Sequence, residues 1–496
     1  MKKIYIYISA VLFMGSVFST SCTKLDEEYF DQIPAENYPE NADQVATLSV
    51  NAYKRLQNMA DDNGWWFLAQ EISGDAMCGP TRGADWFDGG KWVDVHTHRW
   101  TNDTESVNRM WSLFFDGINE CNRTIGFMEN LGDNEEINAK IAELETLRSF
   151  FYYLLMDNYG DVPYVTSVQA EGFQPSKVER EVIYDSLVYT LEDNLKYLKT
   201  SNLKYMATRN MAFALLAKLY INAEVYSGTA KWEKAGQYCD SVIAGPYSLV
   251  NDVKSPFATN NENNSEIIFS IPYDEDNFQG FRLHMRTLHY QHNLTFDMSV
   301  GPWNGFAIVP TFFDVYEDED LRKQSWFLWG PQYAATGEEI IESVTGEPLV
   351  IDPYLPALSM TDGYTPEQIR TTGARIAKYE IKMGAKENLS NDFPLFRLSD
   401  FYLMKAECEI RLGNSGDEWV NPIRTRAAVA PFNGCTLDQL LEERGRELYA
   451  EGHRRQDLIR YDKWGQSWWE KEAHGPEKNT FPIPQWAIDG NPNLGN

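Results

Sequence analysis

With 496 residues, 43% of them hydrophobic and 14% aromatic, the chain is long enough for a large core and for more than one subdomain. Its formal charge of -29 repels nucleic acid and anionic polymers over most of the surface, leaving room only for a local basic pocket that could hold one acidic group. After the first residues no apolar run reaches the ~20 residues that a transmembrane helix requires.

The chain order starts with Lys2 and Lys3 and the apolar stretch Ile4 to Phe18, which reads as a secretory signal. The small residues Ser19, Thr20 and Ser21 then precede Cys22, a pattern that resembles a bacterial lipobox, with Ser19 where leucine is usual. In lipoproteins such a cysteine becomes the N-terminus and carries acyl chains, each buried methylene contributing about 0.8 kcal/mol to anchoring. The expectation is a signal peptide over 1–21, a lipidated tether over 22–40 and a folded domain over 41–496. Lys24, Asp26, Glu27 and Glu28 resemble the acidic signal that sends some lipoproteins to the outer face of the outer membrane.

Helical periodicity comes next. Val45, Leu48, Ala52, Leu56 and Met59 fall on one face between Ala42 and Met59. Further helices are predicted over Arg109 to Asn130, over Ile137 to Tyr159 with a stop at Gly160 and Pro163, and over Val182 to Leu198. Ala212, Leu215, Leu216, Leu219 and Ala223, then Trp232, Ala235, Cys239 and Val242, predict an αα-hairpin about the SGTA turn. A late pair is predicted over Leu398 to Leu412 and Leu437 to Tyr461. These hairpins look like tetratricopeptide units, although no clean 34-residue period is present. Two long stretches interrupt them, Gly74 to Asp103 and about Ile271 to Tyr379, rich in Gly, Asn, Asp and aromatic residues; loops of such length in a compact domain are usually functional.

Catalytic signatures are weak. Cys78, Cys121, Cys239, Cys408 and Cys435 show no CxxC spacing and read as buried free thiols, giving neither a disulfide framework nor a zinc site. His96, His98, His284, His289 and His292 admit a metal hypothesis, but without HExxH or a helical ligand pair they read as polar loop residues. YEDEDL (Tyr316 to Leu321) lacks the pattern of a calcium loop and reads as a solvated helix end. There is no GxSxG and no GxxxxGK[ST]. The acids and arginines interleaved from Glu442 to Arg460 read as structural ion pairs within a helix. No cofactor is expected.

Four segments in register, NENNSEIIFSIPYD (Asn261 to Asp274), LFRLSDFYLMKAECEIRLG (Leu395 to Gly413), LEERGRELYAEGHRRQDLIRYDKW (Leu441 to Trp464) and FPIPQWAIDGNPNL (Phe481 to Leu494), together with AKLYINAEVYSG and Cys22, resemble the RagB/SusD family of outer-membrane nutrient-binding lipoproteins. The resemblance implies a mainly α, SusD-like fold: tetratricopeptide-like hairpins as a scaffold, with irregular insertions gathered on a ligand-binding face. It also implies a SusC-like TonB-dependent transporter as partner, and a glycan as the usual ligand. The corresponding layout is N-terminal helices and an aromatic loop over 41–135, a helical-repeat scaffold over 136–260 and 395–465, and a variable ligand-binding insertion over 270–390.

Sugar rings have apolar faces and a hydroxyl rim, so a site for them pairs flat aromatic platforms with polar side chains. DWFDGGKW and GPWNGF supply both. The candidate ligand residues are Asp85, Trp86, Trp92, Trp100, Tyr290, Trp303, Asn304 and Trp326. The reading is a non-catalytic, surface-exposed glycan-binding lipoprotein, with the acidic balance favouring a neutral polysaccharide. Its rivals are a glycan-cleaving enzyme and a protein-binding scaffold of helical repeats; within it, the ligand could also be a peptide or a glycoprotein chain.

Overall fold

The computed structural model describes residues 42–60 and 65–495. The expected signal peptide, the tether and Cys22 lie outside the described residues. Twelve helices organise the molecule: α1 (Ala42–Ala60), α2 (Trp65–Ile72), α3 (Lys91–His96), α4 (Glu105–Asn130), α5 (Glu135–Tyr159), α6 (Arg180–Asn194), α7 (Arg209–Ile221), α8 (Trp232–Ile243), α9 (Leu398–Arg411), α10 (Asp417–Arg426), α11 (Leu437–Glu447) and α12 (Arg454–Arg460). Among the described residues, further helices of four to six residues fall between and after them. Each main helix packs on a neighbour: α1 on α4, α4 on α5, α5 on α6, α7 on α8, α8 on α9, and α9 on both α10 and α11.

Local chemistry accounts for the longest pair. The α4 stripe Val107, Met110, Trp111, Phe114, Ile118, Cys121 and Ile125 is buried, at steps of three and four. The Asn134 side chain caps α5 by accepting from the Ile137 N–H, Glu135 and Glu136 sit in its first turn, and Gly160 ends it at φ 75°. Gly117 lets the helices close, because a Cβ there would lie 2.5 Å from the Phe151 ring. From Leu144 to Tyr159 all of α5 except Glu145 is buried, so this helix runs through the centre of the core.

The second aromatic stretch leaves and returns through one buried sheet. Ile267–Ile271 pairs antiparallel with Phe393–Arg397, from Phe393 opposite Ile271 to Arg397 opposite Ile267 with an irregularity about Phe396, and every residue of both strands is buried. Two small ladders then join the two stretches to each other. Met77–Cys78 pairs with Ala307–Ile308, and Thr81–Arg82 runs parallel to Ser359–Met360. Segments more than 200 residues apart thereby form one face.

Two expectations are corrected. Leu437 to Tyr461 is two helices, because Ala450 (φ 59°) and Gly452 (φ 80°) break it between α11 and α12. The YEDEDL stretch is only partly solvated: Asp318 and Glu319 are exposed, but Asp320 is buried, caps the following turn of helix and pairs with Arg322 at 2.8 Å. The interleaved charges are structural, as read, and all but Glu442 are buried. Arg397 binds Glu266 at 2.8 Å, Glu447 at 2.7 Å and Glu451 at 2.6 Å, while Arg322 reaches Glu443 at 2.7 Å and Glu447 at 3.0 Å. The five cysteines are free and buried.

Candidate functional site

The site is built where the two aromatic stretches meet. Trp86, at φ 61°, turns its ring onto Gly305, where a Cβ would sit 2.3 Å from the indole, and donates its Nε1–H to the Trp303 carbonyl at 2.7 Å. Gly305 is therefore required by close approach. Asp88 (φ 42°) and Asn304 (φ 55°) are also left-handed, so three non-glycine residues hold this conformation within two short loops. Such strain persists only where the surroundings over-determine it, and it clusters at ligand sites.

Trp86, Trp303 and Tyr290 are half-buried, and Asp85 is exposed beside them. The Tyr290 hydroxyl donates to the Asp85 carboxylate, and burial together with that bond pushes the phenol up to about 12. Arg370 lies 4.7 Å over the Tyr290 ring, and the Arg286 guanidinium lies 5.8 Å over that of Trp303. Arg370 is fixed from below by Glu342, at 2.7 Å through Nε and 2.6 Å through Nη2. Burial alone would raise the Glu342 carboxyl, but the Arg370 bond and the N–H groups of Thr345 and Val344 outweigh it and hold it below the usual range. The result is a shallow face of three ring surfaces with a carboxylate and a guanidinium at its rim.

The other four predicted residues are not on this face. Trp92 is 3% exposed, stacked on Trp65 at 5.6 Å, with its Nε1–H donated to Asp88. Trp100, 4% exposed, is covered by the C-terminal segment, with Phe481 at 4.7 Å and Trp464 at 6.4 Å. Trp326 is buried under Phe257, with the Lys378 ammonium 4.0 Å from its ring centroid. Asn304 is wholly buried and spends its amide inside the protein: Oδ1 accepts from Arg375 at 2.8 Å and Nδ2 donates to the Arg370 carbonyl at 3.2 Å. Each is core because a large ring, or a satisfied amide, gains more beneath a long loop than upon it. Trp92 and Asn304 still position the site, by supporting Trp86 and the Arg370 loop.

Sequence reasoning missed Arg370, Glu342 and Arg286. Only their tertiary placement distinguishes them from other loop charges. The histidines are buried and hydrogen-bonded within the protein: His284 to the Lys386 carbonyl, His96 to that of Trp469, His98 to that of Ser73, and His292 to the His289 N–H. Burial lowers each of these four imidazoles, to about 4 at His284 and about 3 at His292. Among the described residues no group of three or more His, Cys, Asp or Glu side chains is placed to hold a metal ion. Concavities elsewhere differ in character. An interior void of about 20 Å³ beside Lys218, His453 and Gln456 has room for one water, and a groove of about 310 Å³ near Trp111, Phe115 and Phe173 is lined without a charged side chain.

A model of the SusD family matches residues 265–496, and a second, described as starch-binding and associating with the outer membrane, matches residues 88–213. The chain resembles the SusD family over both segments. The SusD-family match takes in the Trp303, Tyr290 and Arg370 loops, and the second match takes in α4 and α5. Starch-binding protein SusD of Bacteroides thetaiotaomicron is 23% identical over 438 residues, covering 80% of this chain and 79% of that protein. Among solved structures, a SusD superfamily protein from Parabacteroides distasonis superposes with TM-score 0.74 at 19% identity, covering 91% of this chain and 98% of that one. Surface glycan-binding protein A from Bacteroides thetaiotaomicron, solved with laminarihexaose, gives TM-score 0.72 at 21% identity over 90% and 97%. The SusD fold is thus common to all of them.

Proposed function

We propose that this SusD-like chain is a non-catalytic glycan-binding lipoprotein of the outer membrane. It captures a poly- or oligosaccharide on the Trp86–Tyr290–Trp303 face and passes it to a SusC-like TonB-dependent transporter. The observation that carries the reading is the face itself: three half-exposed rings held by strained, over-determined loops, with Asp85 and Arg370 at the edge to bond hydroxyls. A sugar needs both parts, an apolar platform and a polar rim. The relatives support it, since one is named for binding starch and a structural neighbour was solved with a bound glucan oligosaccharide. Cys22 would supply the membrane tether, and among the described residues no helix is long and apolar enough to cross a bilayer.

The test is a panel of plant, fungal and host polysaccharides in affinity gels, followed by calorimetry on any polymer that retards the protein and an assay for released reducing ends. Binding without release of reducing ends is expected. Cleavage would replace the reading with a glycoside hydrolase, and retention by none of the polymers would leave the helical-repeat scaffold as the better account.

A further inference from the structure

Buried arginines in this protein come with carboxylates. Among the described residues, Arg148, Arg322, Arg397, Arg424, Arg444, Arg446, Arg454, Arg455 and Arg460 are all buried and all salt-bridged to Asp or Glu. Arg82, 2% exposed, and Arg375, wholly buried, have no salt bridge and depart from the pattern. Arg82 donates to the carbonyls of Gly305, Ile369 and Thr372 at 2.9 to 3.1 Å. Arg375 donates to the carbonyls of Thr372 and Arg370 and to Asn304 Oδ1, and its buried Nε–H has no partner. Carbonyl dipoles satisfy hydrogen bonds but leave the two charges uncancelled, which is costly at this depth.

Both guanidiniums lie beneath the candidate face, stitching the loop of Trp303 to the loop of Arg370. With Arg370 they form a group of three cations, all of which act on the neighbouring His289; burial first, and then this positive field, keep that imidazole well below its ordinary range. The facing acids are Glu342, already bound to Arg370, and the exposed Asp85 on Tyr290. With Arg286 over Trp303 and Asp88 on Trp92 also counted, four cations face three acids, which makes this a positive spot on a chain whose net charge is -29. Distant surface acids matter little here, because salt screens exposed charges beyond roughly 8 Å.

We infer that the glycan taken by this face carries carboxylate or sulfate groups, with Arg370 as the contacting cation and Arg82 and Arg375 as the positive charge beneath it. The inference rests on the glycan-binding reading above and departs from the neutral ligand that the overall charge favours. Arg370 suits the part: its Nε and Nη2 are committed to Glu342, which fixes the plane of the guanidinium and leaves the Nη1 edge for an anion. Tyr290 and Trp303 would then stack the ring that bears the acid.

The experiment uses the folded chain without its signal in affinity gels containing alginate, polygalacturonate or chondroitin sulfate, each beside its carboxyl-reduced or desulfated counterpart, with laminarin and starch as neutral polymers. Retardation by an acidic polymer, lost on carboxyl reduction or desulfation and weakened on raising NaCl from 50 to 300 mM, is the expected result; the arm that loses binding tells carboxylate from sulfate. Arg370→Gln should weaken that binding about tenfold, the loss of one charge-assisted contact, and Arg370→Lys should retain most of it. Because Arg370→Gln strips Glu342 of its partner, melting temperatures are read alongside, and the wild-type salt and ligand comparisons stand without any variant. Retention by laminarin or starch alone, or equal affinity before and after the acid groups are removed, overturns the acidic ligand while leaving glycan binding in place. Retention by no polymer overturns both.

Discussion

Removing the Trp303 ring takes away a platform whose backbone is held independently, by its N–H to the Met285 carbonyl and its carbonyl to Trp86. Trp303→Ala should therefore weaken glycan binding by about 2 kcal/mol, a factor of ~30, with a modest change in melting temperature. Trp100→Ala should do the reverse. Its ring is enclosed by His98, Trp464 and Phe481, so truncation leaves a cavity costing about 3–5 kcal/mol of stability while the folded fraction keeps its affinity. Calorimetric binding and thermal unfolding of both variants separate the two roles, and equal affinity losses in the two would place the platform elsewhere. Both tryptophans sit in glycine- and aspartate-rich stretches and look alike in sequence. What distinguishes them is the C-terminal segment that closes over one and not the other. Cys22 stands on sequence alone: Cys22→Ala should release the protein from outer-membrane fractions, and full retention of that variant would remove the lipid anchor from the account.

At the scale of elements, the helical scaffold was legible because its signals are local: the α4 stripe, the glycine after α5 and the αα-hairpin of α7 and α8 all lie within one reading window. The break between α11 and α12 was not. Gly452 hints at it, but Ala450 takes φ 59° because the Glu71 carboxylate, brought in on α2, accepts the N–H groups of both Ala450 and Gly452. A Cβ on Gly452 would meet Trp66 at 2.5 Å, so the same helix fixes both ends of the break. The consequence is that Glu451 leaves the helix line and, with Glu447, grips Arg397 from the far side of the core. Glu447→Gln should destabilise the fold by about 2–3 kcal/mol, since Arg322, Arg397 and Arg426 lose a shared buried carboxylate while each keeps another, Asp320 and Glu443, Glu266 and Glu451, and Glu266 respectively. Chemical denaturation measures this, and a loss below about 1 kcal/mol would mean that the remaining carboxylates neutralise the three arginines without Glu447.

For the molecule as a whole, these networks set a pH window with two unlike edges. On the acid side, burial pushes the network carboxyls up but their arginines, and at Asp400 Lys218 ahead of Arg444, outweigh it, holding Glu443 at about 2 and Glu447, Asp457, Asp400, Glu266 and Glu407 below their ordinary values. A carboxyl depressed in the folded state contributes stability that is complete above its unfolded value and is lost as pH falls through the folded one. Melting temperature should therefore drop steeply from about pH 4.5 towards pH 2. Glu71 behaves oppositely: burial raises it to about 7 despite its two backbone donors, so the folded state holds a proton there that the unfolded chain has released. Its stabilising share is complete below about pH 4.5 and disappears as pH rises through about 7, a change on the order of 3 kcal/mol for one group. Asp392, raised by burial to about 6, adds to the same edge. Wild-type stability should peak near pH 5 and decline gently towards pH 8. In Glu71→Gln, where the side chain stays neutral at every pH, the decline between pH 5 and pH 8 should flatten while the acid edge stays put. Melting curves of both proteins across pH 3 to 9 decide it, and parallel alkaline limbs would show that Glu71 remains ionised in the folded protein.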